Sequence, residues 1–193
     1  MATTRMKEER TQMERALVAA KLSAHAYKSE KAAINAAKKM GFKWVKLISR
    51  DGAEVLVAKD RNDLWFAFRG TEPSKVNDVM ADLNMIKGAA KAGGKVHSGF
   101  QKEVNDLWMD VLAEIEHNDQ LKVRKDVYMT GHSLGAAMAT IAATRYAGDS
   151  RSSKSGIAFL QFSLNARGKS LPLFKYNVPF TTVASHAFTS LAK

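Results

Sequence analysis

The chain of 193 residues lacks cysteine, has only three prolines, and contains no apolar run long enough to span a bilayer. The absence of cysteine excludes disulfides, thiol nucleophiles and cysteine metal sites, and it fits a reducing compartment. The best apolar stretch near the start, Ala16 to Ala20, is short and is followed at once by Lys21, so no secretory signal is evident. We therefore expect a cytoplasmic protein.

Acidic residues are also missing from the last part of the chain. No Asp or Glu occurs between Arg151 and Lys193, a stretch with six Lys or Arg, and the whole chain carries a net charge of +11. Such a charge fits binding to nucleic acid or peripheral contact with anionic membrane, or else it is simply solvated surface. The lysines are scattered and no nucleic-acid motif is present, so we expect no nucleic-acid partner. The length predicts one domain, with a change of composition near residue 150.

The first part of the chain has helical character up to about residue 40. Leu17, Ala20, Ala24 and Tyr27 recur at helical spacing, which predicts a helix over 7–40 that ends at Gly41.

Beyond Gly41 the pattern changes to alternating strands and helices. Asp51-Gly52 is a strong hairpin signal between the first two strands. Predicted strands cover 44–48, 54–58, 64–68, 126–130, 157–162 and 181–184, and predicted helices cover 76–86, 98–117 and 134–147. The alternation predicts an α/β domain of three layers.

One motif points to chemistry. Residues 131–135 read Gly-His-Ser-Leu-Gly, a G-x-S-x-G pattern between a predicted strand and a predicted helix, as a nucleophile elbow requires. The serine of such an elbow sits in a sharp turn, where side chains two residues before and after it would clash, hence the glycines. The pattern alone is weak evidence, because it arises by chance in roughly one chain in twenty.

Further motifs, in order along the chain, resemble the class 3 lipases, the group that contains the fungal triacylglycerol lipases. Phe68-Arg69-Gly70-Thr71 resembles the oxyanion-loop motif of that family, and Asp78 and Asp82 follow in a segment that usually carries an acid. Residues 96–100 resemble its HxGF motif, and 130–136 resemble its elbow. The resemblance covers roughly residues 12–147. It implies an α/β-hydrolase-like three-layer sandwich with a central, mostly parallel sheet.

The resemblance also implies roles for individual residues. Ser133 is the expected nucleophile, and the backbone N–H of Leu134 together with Thr71 is the expected oxyanion hole. His97 and His132 are structural in this family. No cofactor and no metal is implied, and the expected partner is an ester or lipid substrate. Residues 72–94 occupy the position of a lid, in which Met80, Met85 and Ile86 are either covers of an acyl pocket or ordinary core residues.

The catalytic triad is the point at which the resemblance weakens. After Ser133 the chain has one carboxylate side chain, Asp149, and one histidine, His186. The usual order Ser, acid, His therefore allows His186 as the base. A helix of about 13 residues separates Ser133 from Asp149, so we expect about 20 Å between them, too far for a triad. Residues 156–168, where the family supplies its acid, contain none.

We interpret residues 1–150 as a family-like core and residues 151–193 as an atypical basic segment, so that part of the C-terminal sheet is expected to be missing. Natural divergence and a frameshift or truncation of a longer lipase gene both remain explanations of this segment. The leading hypothesis is a lipase- or esterase-like hydrolase of carboxylic esters that forms an acyl-enzyme on Ser133. The alternative is a catalytically impaired homologue that binds lipid or membrane.

Overall fold

The structure is a computed structural model that describes residues 12–60, 63–70, 87–89, 95–120, 126–149 and 157–162. Its elements, in chain order, are α1 (Gln12–His25), α2 (Glu30–Lys39), β1 (Trp44–Arg50), β2 (Ala53–Lys59), β3 (Asp63–Phe68), β4 (Lys87–Ala89), β5 (Lys95–His97), α3 (Ser98–Gln120), β6 (Asp126–His132), α4 (Leu134–Ala147) and β7 (Ile157–Phe162).

The main sheet has the strand order β1-β2-β3-β6-β7. The first three strands pair antiparallel, whereas β3 with β6 and β6 with β7 pair parallel. The described sheet is therefore mixed, with its parallel half formed by β3, β6 and β7. The antiparallel half begins with the predicted hairpin, in which Asp51 and Gly52 both have positive φ (48° and 87°), as a two-residue turn between twisted strands requires.

Helices cover both faces of the sheet, and this confirms the predicted three layers. On β2, Val55 and Val57 belong to the core shared with α3 and α4, while Leu56 and Ala58 belong to the core shared with α1 and α2. Successive side chains of a strand point to opposite faces, so a central strand covered on both sides is apolar throughout. This accounts for the continuous burial of β3.

The predicted single helix over 7–40 is wrong within the described residues, because the chain turns at residues 26–29 between α1 and α2. The predicted apolar stripe also has the wrong phase: Leu17 is 53% exposed, and Ala24 is exposed as well. The buried positions of α1 are instead Ala16, Ala19, Leu22 and Ser23. A run rich in alanine carries little amphipathic contrast, so the pattern could not identify the buried face.

The stripe predicted for α3 is confirmed, since all seven of its members are buried: Phe100, Val104, Leu107, Trp108, Val111, Leu112 and Ile115. The structure adds a small antiparallel pair that the sequence did not predict, between β4 in the expected lid segment and β5 directly after it. The helix predicted over 76–86 lies outside the described residues. The strand predicted over 181–184 also lies outside them. No helix in the described ranges is both long and apolar enough to cross a bilayer.

Candidate active site

Ser133 occupies a sharp connection between β6 and α4. The strand ends at His132 and the helix begins at Leu134, so the serine is the only residue between them. Its backbone has φ 55° and ψ −125°, a region that non-glycine residues rarely adopt. Such a conformation costs on the order of 1–3 kcal/mol and persists only where the surrounding structure enforces it. The predicted elbow geometry of Ser133 is thus confirmed.

The two glycines of the motif let the strand and the helix meet at this turn. A Cβ on Gly131 would lie against the backbone of Gly135 and 2.7 Å from the amide nitrogen of Ala136. A Cβ on Gly135 would press on the carbonyl oxygen of Phe68 and lie 2.8 Å from the nitrogen of Gly70. Real side chains do not approach backbone atoms so closely, so both positions require glycine for space.

The end of β3 lies beside the elbow because β3 and β6 run parallel and in register, with Phe68 opposite Gly131. Gly70, two residues later, packs on the first turn of α4: a Cβ there would be 2.6 Å from the nitrogen of Gly135 and 3.0 Å from the oxygen of His132. Thr71, the predicted oxyanion donor, follows Gly70 directly but lies outside the described residues. Its role therefore stays a prediction.

Tyr27 links the turn after α1 to the elbow. Its hydroxyl donates a hydrogen bond of 3.0 Å to the carbonyl oxygen of His132, and its ring meets the His132 ring edge-on at 6.0 Å. A Cβ on Gly70 would lie 2.6 Å from the same hydroxyl, so Tyr27 touches both segments that form the site. Sequence reasoning assigned Tyr27 only to a helix stripe, because nothing local signals a partner 105 residues away.

A second contact holds the segment that precedes Thr71. The guanidinium of Arg69 forms an ion pair of 2.6 Å with the carboxylate of Glu54. The backbone N–H of Arg69 also donates a hydrogen bond to the backbone carbonyl oxygen of Glu54. Both groups are about three-quarters buried, which leaves this pair less screened than one on the open surface. The exit of β3 is thereby tied to β2.

The histidine before the nucleophile is half-buried, and burial lowers the pKa of His132 below its ordinary value. A neutral imidazole is therefore favoured there at neutral pH. His97 closes β5 at the start of α3, and its partner in the register is Lys87. Across the described ranges, no cluster of three or more His, Asp or Glu side chains could hold a metal ion.

The remaining predicted site residues have separate outcomes. Leu134 is the first residue of α4 and is buried, and an N–H in the first turn of a helix has no partner within that helix. Asp149 lies just beyond the opposite end of α4, whose 14 residues amount to about 21 Å at 1.5 Å each. That placement agrees with the expected separation of about 20 Å between Ser133 and Asp149. Six further residues lie outside the described ranges: Asp78, Met80, Asp82, Met85, Ile86 and His186.

The α/β-hydrolase fold is also found in solved lipase structures. The triacylglyceride lipase of Rhizomucor miehei superimposes with a TM-score of 0.60 over 91% of this chain and 93% of that chain, at 17% identity. Lipase II of Rhizopus niveus superimposes with a TM-score of 0.58 over 77% of this chain and 61% of that chain, at 20% identity. These likenesses confirm the predicted fold class.

Sequence comparison identifies the family. The lipases of Rhizopus niveus and Rhizopus oryzae are each 32% identical to the chain over 105 residues, which is 50% of this chain but 24% of either relative. The chain thus matches about a quarter of the length of these relatives. The profile of the family described as Lipase (class 3) matches residues 65–165, which include most of β3 and all of α3, the elbow and β7. The chain belongs to the class 3 lipase family.

Proposed function

We propose that this protein hydrolyses carboxylic esters, as a lipase or esterase, through an acyl-enzyme on Ser133. The observation that carries the proposal is the backbone of Ser133, held at φ 55° between β6 and α4. A hydroxyl on such a turn is presented at the edge of the sheet, free of the helix that follows it. The relatives are named as lipases, one of them as a triacylglyceride lipase, which makes an ester of a fatty acid the proposed substrate class.

In the proposed reaction the oxygen of Ser133 attacks the ester carbonyl carbon while a base takes its proton. The negative charge that develops on the carbonyl oxygen is stabilised by the N–H of Leu134 and by Thr71. Collapse of the intermediate breaks the bond to the alcohol, which leaves with a proton from the base. Water then repeats the sequence on the acyl-enzyme and releases the acid. His186 is the proposed base, since no other histidine follows the nucleophile.

Slow turnover is part of the proposal. Asp149 stands about a full helix length from Ser133, and it is the last carboxylate side chain in the sequence. In a complete triad the acid sets the tautomer of the imidazole and stabilises its charged form, and its loss costs on the order of 10⁴-fold in kcat. We expect a kcat on simple esters well below the enzyme median of about 10 s⁻¹.

The test is hydrolysis of a short p-nitrophenyl ester by the wild type, by Ser133→Ala and by Ser49→Ala, with circular dichroism as the check on folding. Ser49 is an exposed serine of β1 and serves as the matched control. We expect Ser133→Ala to abolish hydrolysis and Ser49→Ala to retain it. A fluorophosphonate label should map to the peptide that contains Ser133. Hydrolysis that survives Ser133→Ala, or a label on another residue, would refute the proposal.

A further inference from the structure

A cleft of about 560 Å³ lies between α1 and α2, and none of the residues that line it takes part in the proposed hydrolysis. Its first wall consists of Lys21 and His25, one helical turn apart on α1, together with Lys28 from the connection between α1 and α2. Ala32 and Ala36 of α2 form the opposite wall with their short side chains. The cleft exists because these alanines do not fill the space between the two helices.

The cleft concentrates positive charge. Lys39, at the far end of α2, adds a third ammonium group to those of Lys21 and Lys28. None of the described residues that line the cleft carries a carboxylate. Burial, and then the charges of Lys28 and Lys21, lowers the pKa of His25 below its ordinary value. Like charges held together repel one another, and a bound anion would relieve that repulsion.

Neutral donors accompany the lysines. The Nδ1 atom of His25 is buried and has no hydrogen-bond partner in the described part of the chain. Asn35, which also lines the cleft, brings an amide that both donates and accepts. Three ammonium groups and an amide around one small space match the tetrahedrally arranged oxygens of a phosphate group, which accept charge-assisted hydrogen bonds.

We propose that the cleft between α1 and α2 binds a phosphate group, carried either by an anionic lipid headgroup or by a soluble phosphate ester. The site does not depend on the proposed hydrolysis at Ser133. One segment links the cleft to the elbow, because His25 and Lys28 lie within two residues of Tyr27, whose hydroxyl is bonded to the carbonyl oxygen of His132.

The experiment compares the full chain with two double variants of equal charge. Lys21→Gln with Lys28→Gln removes two cations of the cleft. Lys31→Gln with Lys38→Gln removes two exposed cations of α2 that do not line it. Binding of glycerol 1-phosphate is measured by isothermal titration calorimetry. Binding to vesicles of phosphatidylcholine, with and without phosphatidylglycerol, is measured by sedimentation, and thermal unfolding checks that all three proteins are folded.

We expect the cleft variant to bind at least about tenfold more weakly than the wild type, because hydrogen bonds to charged groups are lost. The control variant should change binding less than about twofold, as expected for screened surface charges. Selective loss in the calorimetric arm supports a soluble ester, and selective loss confined to anionic vesicles supports a headgroup. Equal loss in both variants, or no binding of either probe by the wild type, would overturn the proposal. None of these results depends on ester hydrolysis.

Discussion

At the scale of single residues, the geometry of the elbow depends on its glycines as much as on the serine. Gly70, Gly131 and Gly135 bring three backbone segments closer together than any Cβ would allow. The carbonyl of His132, which ends β6, receives the hydroxyl of Tyr27. The strained backbone of Ser133 is therefore enforced by contacts on both sides, which is the condition for such strain to persist.

The spatial demand at the elbow predicts a large effect of a single methyl group. Gly135→Ala places a Cβ against the carbonyl oxygen of Phe68 and near the nitrogen of Gly70. Because these are backbone atoms that cannot rotate away, we expect the free energy of unfolding to fall by about 1–3 kcal/mol, the usual cost of overpacking. Urea denaturation followed by circular dichroism measures this.

Gly148→Ala is the matched control at the other end of α4. Its φ of −79° suits any residue, and a Cβ there would lie 3.8 Å from the carbonyl oxygens of Arg145 and Thr144, an ordinary van der Waals distance. We expect stability to change by less than about 1 kcal/mol, with a slight gain favoured by the lower entropy of the unfolded chain. Equal stability of the two variants would contradict this account of the elbow.

At the scale of elements, α3 is fastened to the antiparallel half of the sheet by Glu114. Its two carboxylate oxygens accept hydrogen bonds from Lys46 of β1 (3.2 Å) and Lys59 of β2 (2.6 Å). Burial alone would raise the pKa of Glu114, but the hydrogen bonds and charges of Lys59 and Lys46 outweigh it and lower the pKa below its usual value of 4.5. The carboxylate is thus bound more favourably in the folded state than in the unfolded state.

The pKa of Glu114 predicts a loss of stability in acid. A carboxyl whose pKa is lowered by folding contributes its stabilisation above the unfolded pKa, and that contribution disappears as pH falls through the lower folded pKa. We expect Glu114→Gln to reduce the free energy of unfolding at pH 7, and the difference from the wild type to shrink below about pH 4.5. Urea titrations across this range measure it.

Glu103, on the same helix, serves as a control, because its pKa is shifted in the opposite direction to that of Glu114. Burial, followed by the charge of Asp106, raises the pKa of Glu103 above its usual value, although Lys102 acts the other way. Stability from such a group is present below the unfolded pKa and is lost as pH rises through the folded one. Glu103→Gln should therefore stabilise the protein at pH 7 and have no effect in acid. A parallel response of the two variants would argue against both assignments.

At the scale of the whole molecule, two cores share one sheet. The core under α3 and α4 and the core under α1 and α2 share the strands β2, β3 and β6, whose side chains alternate between them. Trp65 and Tyr128 belong to the second core and stack at 4.1 Å, while their neighbours Phe66 and Met129 belong to the first. Loss of either helical layer exposes one full face of the same strands, so the two cores should unfold together.

Truncation of one leucine in each core tests this coupling. Leu22 of α1 and Leu107 of α3 are fully buried on opposite faces of the sheet, whereas Leu17 of α1 is 53% exposed. We expect Leu22→Ala and Leu107→Ala each to cost about 2–5 kcal/mol, through lost burial and an unfilled cavity. Far-ultraviolet circular dichroism and tryptophan fluorescence should still report one midpoint for each variant. Leu17→Ala is the control, with an expected change within about 0.5 kcal/mol. Separate midpoints in either core variant would show that the layers unfold independently.

Local chemistry was sufficient for much of the fold. The hairpin at Asp51-Gly52, the stripe of α3 and the strand-turn-helix around Ser133 depend on residues that are neighbours in the sequence, so periodicity and turn preference predict them. The order of motifs along the chain identified the family for the same reason, because each motif is a short run with its own spacing. The long helix predicted before Gly41 failed where alanine is abundant, since small residues are compatible with either face of a helix.

Tertiary structure decided the features that depend on distant segments. The burial of Ala19 and Leu22 in place of Leu17 follows from the position of β6 and β3 beneath α1, and the break after α1 brings Tyr27 to an elbow more than 100 residues away. Gly70 meets Gly135 only because β3 and β6 pair in parallel, a register that no local pattern specifies. The sequence by itself determined which residues are proposed to carry the chemistry, since side-chain type and short spacing are local properties. Only the packed sheet decided which of them meet, because contact across the sheet depends on strand order and burial.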